Sequence, residues 1–223
     1  MCGRFALFSP EEMLAAMFGV EGAGFPPPSY NIPPSRAIAA VRVAPEGRAK
    51  RELALLRWGL VPSWAKDSAI GNRMINARAE TAPDKPAFRS AFRRRRCLVP
   101  ADGFYEWRKA GARKQPYYVR MADGRPFAFA GLWERWEGPG GEVASCVLLT
   151  TGPNDLLAPI HDRMPVILSP ADYGPWLDPE SQAPAALLPL LRPFPPDAMV
   201  AFPVRTLVNN PAADDPRCIE PAA

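Results

Sequence analysis

Histidine is almost missing from this chain: His161 is the only one in 223 residues. Cysteine is scarce too, and Cys2, Cys97, Cys146 and Cys218 lie far apart with no C-x-x-C pair. A zinc site needs clustered nitrogen and sulfur ligands, which this supply does not favour. Nor do four scattered cysteines form the disulfide framework that staples small secreted domains. No stretch reaches the roughly 18 apolar residues of a membrane span, and residues 1–5 open no secretory segment. Internal repeats and a dividing linker are also lacking. A cytoplasmic protein with reduced thiols and no membrane contact is expected.

What is present is ordinary for a globular chain: 48% hydrophobic and 22% charged residues, with 29 prolines in no repeat period. Such proline usage favours turns and ordered loops over long helices. The length supports one sizeable core, so a single domain over 1–223 is expected. The net charge of +4 and pI near 9.0 are compatible with a polyanionic partner and decide nothing alone.

The run Ser9-Pro10-Glu11-Glu12 predicts a helix start, with Ser9 as cap and Glu12 completing a capping box, and Gly19 ends that helix. Strands are predicted at 38–43 and 52–58, separated by the turn Pro45-Glu46-Gly47. Further strands follow at 104–109, 116–121, 127–133 and 143–151. Their short connections favour antiparallel neighbours. Short helices fit 85–94, 154–157, 170–176 and 183–191. The fold class expected is α+β, a largely antiparallel, barrel-like sheet with short peripheral helices.

Four segments can carry chemistry. Once Met1 is trimmed, Cys2 would present an amine and a thiol on adjacent carbons, titrating near about 8 and 8.5. With an aldehyde, the amine gives an imine and the thiol closes it to a thiazolidine; the other reading is a cysteine merely packed in a sheet. If Ile75-Asn76-Ala77-Arg78-Ala79-Glu80-Thr81 is extended, Asn76 and Arg78 share a face that suits an oxygen or a phosphate; a capped connection is the alternative. Glu106, within Phe104-Tyr105-Glu106-Trp107, is costly to bury; burial would suit it to acid work near neutrality, and an edge position would leave it solvated. His161 lies in the predicted loop Pro159-Ile160-His161-Asp162-Arg163, and as the sole histidine it must serve any imidazole step. The run Arg93-Arg94-Arg95-Arg96 reads as a solvated helix end, with phosphate contact there, or at Lys85 and Arg89, as the other option.

Six motifs in order carry a resemblance: Met1-Cys2-Gly3-Arg4-Phe5, Tyr30-Asn31-Ile32-Pro33-Pro34, Trp58-Gly59-Leu60-Val61-Pro62-Ser63-Trp64, Ile75-Asn76-Ala77-Arg78-Ala79-Glu80-Thr81, Ala101-Asp102-Gly103-Phe104-Tyr105-Glu106-Trp107 and His161-Asp162-Arg163-Met164-Pro165. Together with the tail Val208-Asn209-Asn210, they resemble the SRAP (SOS-response-associated peptidase) family, whose members shield abasic sites. The resemblance implies that Cys2 forms a thiazolidine with the opened sugar aldehyde of an abasic site in single-stranded DNA. It implies that Asn76 positions the amine and the sugar, Glu106 serves as acid, and His161 assists proton transfer. By the same resemblance Arg4, Arg78 and Arg163 hold phosphates, and Trp64 stacks on bases. No metal or organic cofactor is needed for that chemistry. The partner would be abasic single-stranded DNA, bound by a monomer that is nucleoid-associated when on DNA, as in bacteria. The same imine also permits strand cleavage by a lyase route. Two rivals stand beside this reading: an N-terminal-cysteine peptidase or amidohydrolase, and a non-covalent single-strand-binding module.

Overall fold

The computed structural model describes residues 2–21, 24–44, 50–111 and 113–222. Its strands are β1 (Phe5–Leu7), β2 (Ser29–Ile32), β3 (Ala37–Val43), β4 (Arg51–Trp58), β5 (Asn76–Arg78), β6 (Arg96–Ala101), β7 (Gly103–Ala110), β8 (Arg113–Met121), β9 (Phe127–Gly138), β10 (Gly141–Thr151), β11 (Met164–Pro165), β12 (Ile167–Leu168) and β13 (Met199–Pro203). The α-helices are short: α1 (Glu11–Phe18), α2 (Arg89–Arg94), α3 (Tyr173–Leu177) and α4 (Pro184–Leu187). None is long and apolar enough to cross a membrane. The α+β expectation holds.

One sheet runs β13-β8-β7-β1-β2 and is antiparallel throughout. The other runs β11-β10-β4-β3-β6-β9-β12, and an additional β9–β10 pairing closes β10, β4, β3, β6 and β9 into a five-stranded barrel. Closure satisfies backbone groups that an open edge would leave unpaired. Two pairings depart from the antiparallel expectation. β10 meets β4 and then β5 in parallel register, Cys146 beside Trp58 and Leu148 beside Asn76. The crossover loop 59–75 carries the chain from β4 to β5 along the same edge of β10, and the parallel partners β4 and β10 are themselves joined through residues 59–140, long enough for a parallel pair.

Gly59 makes that crossover possible. Its φ is +135°, and a Cβ there would lie 2.6 Å from the Gly71 carbonyl oxygen. A Cβ on Gly71 would meet the Gly59 oxygen at 2.5 Å, so the two backbones touch where side chains cannot fit. The core between the sheets centres on Phe5, whose ring meets Trp58 and Phe129 edge-on at 5.3 and 5.8 Å. Each such ring contributes roughly 1.5–3 kcal/mol by burial.

Helix α1 ends at Gly19 in the left-handed conformation, as expected. Its start differs. Ser9 makes no cap; its hydroxyl bonds Asp102, whose carboxylate also accepts from the Phe8 and Ser9 amides at 2.6 and 2.8 Å. A buried carboxylate with three donors outcompetes a local cap. Residues 154–157 form a turn, the helix expected over 85–94 shortens to Arg89–Arg94, and 183–191 divides into α4 and a 3-10 turn, Leu188–Leu190. The Pro45-Glu46-Gly47 turn lies outside the described residues.

The arginine run is not a uniform solvated helix end. Arg93 and Arg94 are exposed, but Arg95 pairs with Glu134 at 2.6 Å and Arg96 opens β6, 4% exposed. The Arg96 guanidinium donates to the carbonyls of Phe92, Arg93, Trp176 and Asp178. A side chain with five donors ties helix α3 to the barrel where no hydrophobe could satisfy those oxygens.

Candidate active site

Residues 2–4 lead into β1, where Phe5 pairs with Phe104 and Ala6 with Gly103. The Tyr105 amide donates to the Arg4 carbonyl at 3.0 Å, so pairing continues toward the terminus. That register sets Gly3 opposite Glu106. Alternation along β7 turns Phe104 and Glu106 to the same face, and Phe104 shares the main core with Cys2.

Asn76 reaches Cys2 directly. Its Nδ2 donates to the Cys2 carbonyl at 2.6 Å, while its buried Oδ1 has no hydrogen-bond partner among the described residues. The residue before it is pinned twice, since the Ile75 carbonyl accepts from the Trp58 indole at 2.9 Å and from the Leu148 amide at 3.2 Å. The Trp58 motif therefore serves the site by fixing the backbone that aims Asn76.

Cys2 is fully buried, and burial pushes its thiol well above the ordinary range, with the nearby Glu106 carboxylate adding to the rise. This corrects the expectation of a thiol partly ionised at neutral pH: desolvation penalises the thiolate. Glu106 is 2% exposed, and burial raises its carboxyl to about 7, with the Asp162 charge pushing the same way. It stands in the inward position rather than at a solvated edge.

His161 is half-buried, and desolvation lowers its pKa. Arg163 and Asp162 make opposite demands on Nδ1, and the Arg163 carbonyl also lies 3.2 Å from it. The Arg163 amide donates to it at 3.0 Å and needs a lone pair; the Asp162 carboxylate lies 3.0 Å away and would favour a proton. The amide is fixed in the backbone, whereas Asp162 is largely exposed and free to turn to water. Desolvation disfavours the charged ring, and a Nδ1 lone pair turned to the Arg163 amide would leave the proton of a neutral ring on Nε2.

Glu106, His161, Trp107, Lys114 and Asn209 line one cleft of about 410 Å³. Of the basic residues expected at phosphates, Arg78 is exposed and its guanidinium forms no hydrogen bond or ion pair among the described residues. It projects from the same face of β5 as Asn76. Arg163 is engaged instead: Glu80 takes it bidentately at 2.8 Å twice, and the Thr150 carbonyl accepts at 2.5 Å. Arg4 binds the Asn31 Oδ1 at 2.6 Å and the Val208 carbonyl at 2.9 Å. Trp64, 59% exposed, is the most exposed large apolar side chain among the described residues. Its loop is held where the Trp136 indole donates to the Ala65 carbonyl. Trp136 pairs with Val143, five residues along β10 from Leu148, the partner of Asn76, so this loop is anchored farther along the strand than Asn76. No group of three or more metal-ligating side chains occurs among the described residues.

The family model described as SOS response associated peptidase (SRAP) matches residues 1–211. The Bacillus subtilis protein named abasic site processing protein YoqW is 44% identical over 225 residues, covering 99% of both chains. The mouse protein named abasic site processing protein HMCES is 31% identical, aligned with 100% of this chain and 76% of its own length. A crystal structure of a protein from Bacteroides thetaiotaomicron superposes with a TM-score of 0.89 at 28% identity, with both chains fully covered.

This chain belongs to the SRAP family.

Within this SRAP chain, three contributors to the site were not singled out by the sequence. Asn209 and Lys114 sit in the cleft wall, and Glu80 holds Arg163. Asn209 carried a signal, since it lies in the Val208-Asn209-Asn210 motif. The Asn31 motif proves structural: its Nδ2 donates to the Ala213 and Asn210 carbonyls at 2.5 and 3.0 Å and ties the C-terminal segment to β2.

Proposed function

We propose that this SRAP protein processes abasic sites in single-stranded DNA and shields them by a covalent thiazolidine through Cys2, after Met1 is removed. The observation that carries the reading is the Asn76 amide on the Cys2 carbonyl, beside a buried carboxyl poised near neutrality. The relatives' names point to the same lesion.

The order of steps follows from the protonation states. The thiol is held neutral, so the freed amine of Cys2 attacks the ring-opened sugar aldehyde first, forming the C–N bond. Glu106 in its acid form protonates the hydroxyl of the adduct, which leaves as water and gives an iminium. The neutral thiol then adds to that carbon, a far stronger electrophile than the aldehyde. The S–C bond forms, the ring nitrogen keeps one hydrogen, and the thiol proton passes to the Glu106 carboxylate. Nothing in the balance calls for an oxidant or a cofactor. His161, neutral with Nε2–H, donates toward the sugar oxygen during opening. The unpartnered Asn76 Oδ1 accepts from the new amine and holds its lone pair toward the cleft.

Strand cleavage would need the same iminium to persist while the adjacent carbon loses a proton. A thiol already packed against the site closes the ring first, which favours shielding over lyase output. Arg78 supplies the phosphate contact nearest Asn76, and Trp64 a stacking surface farther along the strand. The site favours this covalent chemistry over simple strand binding because its buried acid adds nothing to phosphate affinity.

The test is intact-mass analysis after mixing Met1-processed protein with an abasic oligonucleotide. The adduct expected is protein plus DNA minus one water, absent with Cys2→Ala and with undamaged DNA. A wild-type protein that gives no adduct would overturn the proposal; release of peptide or amide products instead would favour the hydrolase reading.

A further inference from the structure

We infer that Lys114 and Asn209 form the anion-binding wall of the cleft and hold the phosphodiester flanking the abasic sugar. This rests on the reading of the cleft as an abasic-DNA site and names two contacts beyond it. Both residues line the cleft with Glu106 and His161. The Trp107 indole, a donor only, donates to the Asn209 Oδ1 at 2.7 Å. That bond settles which way the amide faces: the oxygen is taken, and Nδ2 keeps two hydrogens with no acceptor among the described residues. Lys114 is exposed and forms no ion pair there, yet its charge reaches His161 and helps to keep that ring neutral.

The wall thus offers an ammonium and an amide N–H₂ and no unclaimed acceptor. A phosphodiester has the opposite inventory, two anionic oxygens and no donor. Two of the arginines expected at phosphates, Arg4 and Arg163, already have protein acceptors, and Arg78 stands on β5 beside Asn76; within the cleft lining, Lys114 and the Asn209 amide are the donors placed to meet an anion. Placing the phosphate on this wall leaves the sugar between it and Glu106, where the aldehyde must stand.

The probe is a single-stranded oligonucleotide with a tetrahydrofuran abasic analogue, which has no aldehyde and cannot cross-link. Equilibrium binding is measured for wild type, Lys114→Gln and Asn209→Asp; the second keeps the acceptor for Trp107 and replaces the donor by an anion. Both side chains are exposed, so the variants keep the fold, which a melting curve verifies. Weaker binding is expected for both. For Lys114→Gln the slope of log K against log salt should fall in magnitude by about 0.7, one contact on a single strand. Replacing the phosphodiester on each side of the analogue in turn by a neutral methylphosphonate should weaken wild type at one position and leave Lys114→Gln nearly indifferent there. Wild-type affinity and slope in both variants, or undiminished methylphosphonate sensitivity in Lys114→Gln, would overturn the assignment. Because this probe forms no covalent bond, failure of the Cys2 chemistry is read separately, from the mass experiment.

Discussion

Asn76 and Cys2 are joined directly: the Asn76 Nδ2 donates to the Cys2 carbonyl at 2.6 Å, across 74 residues of sequence. In the proposed reaction the bond restrains the residue whose amine and thiol must both reach one carbon. Holding that backbone orients amine and thiol together toward the aldehyde, so a single hydrogen bond acts on both nucleophiles at once.

Asn76→Asp tests this link with little change of volume. It replaces the donor by a carboxylate oxygen facing a carbonyl, leaving a partly buried acceptor unsatisfied. A loss of about 1–3 kcal/mol corresponds to a cross-linking rate lower by roughly 5- to 150-fold. Quenched-flow assays at saturating abasic DNA check the rate. Affinity for a tetrahydrofuran oligonucleotide, measured alongside, should change far less.

Glu106 sets the alkaline limb of the pH profile. Its carboxyl at about 7 loses the acid form as pH rises, so the cross-linking rate should fall on the alkaline side, while protonation of the attacking Cys2 amine lowers it on the acid side and gives a bell. Stability also falls as pH rises. A carboxyl raised in the folded state stabilises the fold fully below the unfolded value near 4.5, and that contribution is lost as pH rises to about 7. Glu106→Gln removes the titration, so at pH 8 it should be more stable than wild type, on the order of 3 kcal/mol. Below pH 4.5 the two should match. Urea titrations at both pH values read the difference, and cross-linking by the variant should drop at every pH.

The residues proposed to carry the chemistry stood out in the sequence because each lies in a short local pattern. Asn76 and Arg78 alternate on one strand face, and Glu106 sits among aromatics that demand an inward strand. Strands 38–43 and 52–58 showed for the same reason. What was hidden depends on partners far away in sequence. The capture of Ser9 by Asp102 spans 93 residues, and that of Arg163 by Glu80 spans 83. The protonation of Cys2 follows from burial beside Glu106, which no local window contains. The parallel β4–β10 pairing was masked because its two strands are 82 residues apart, with five strands between them rather than the single helix that usually marks such a connection.

Arg96 shows the cost of reading a charge run as one unit. Burial lowers its pKa to about 10, still fully charged at neutrality, and its donors satisfy four carbonyls. Arg96→Met should therefore lose about 2–4 kcal/mol through stranded acceptors. Arg93→Ala, on the exposed side of the same run, should stay within about 0.5 kcal/mol. Shifts in urea midpoint at unchanged slope distinguish the two.

Glu80 offers a change whose two consequences have opposite signs. Its carboxylate grips the Arg163 guanidinium, and the Arg163 amide in turn donates to the His161 Nδ1. Glu80→Gln weakens that grip and removes a negative charge beside Arg78. The freed guanidinium and the lost repulsion should tighten binding of single-stranded DNA by up to about fivefold at low salt, the range of one exposed ion pair. The same release lets the 161–163 segment shift, so the imidazole loses its fixed tautomer and cross-linking at saturating DNA should slow. Tighter binding with slower chemistry is the expected pair of results. Glu80→Asp keeps the charge and should restore part of the rate without the gain in affinity. If Glu80→Gln binds more tightly and reacts as fast as wild type, Glu80 tunes the surface charge alone and has no part in holding His161.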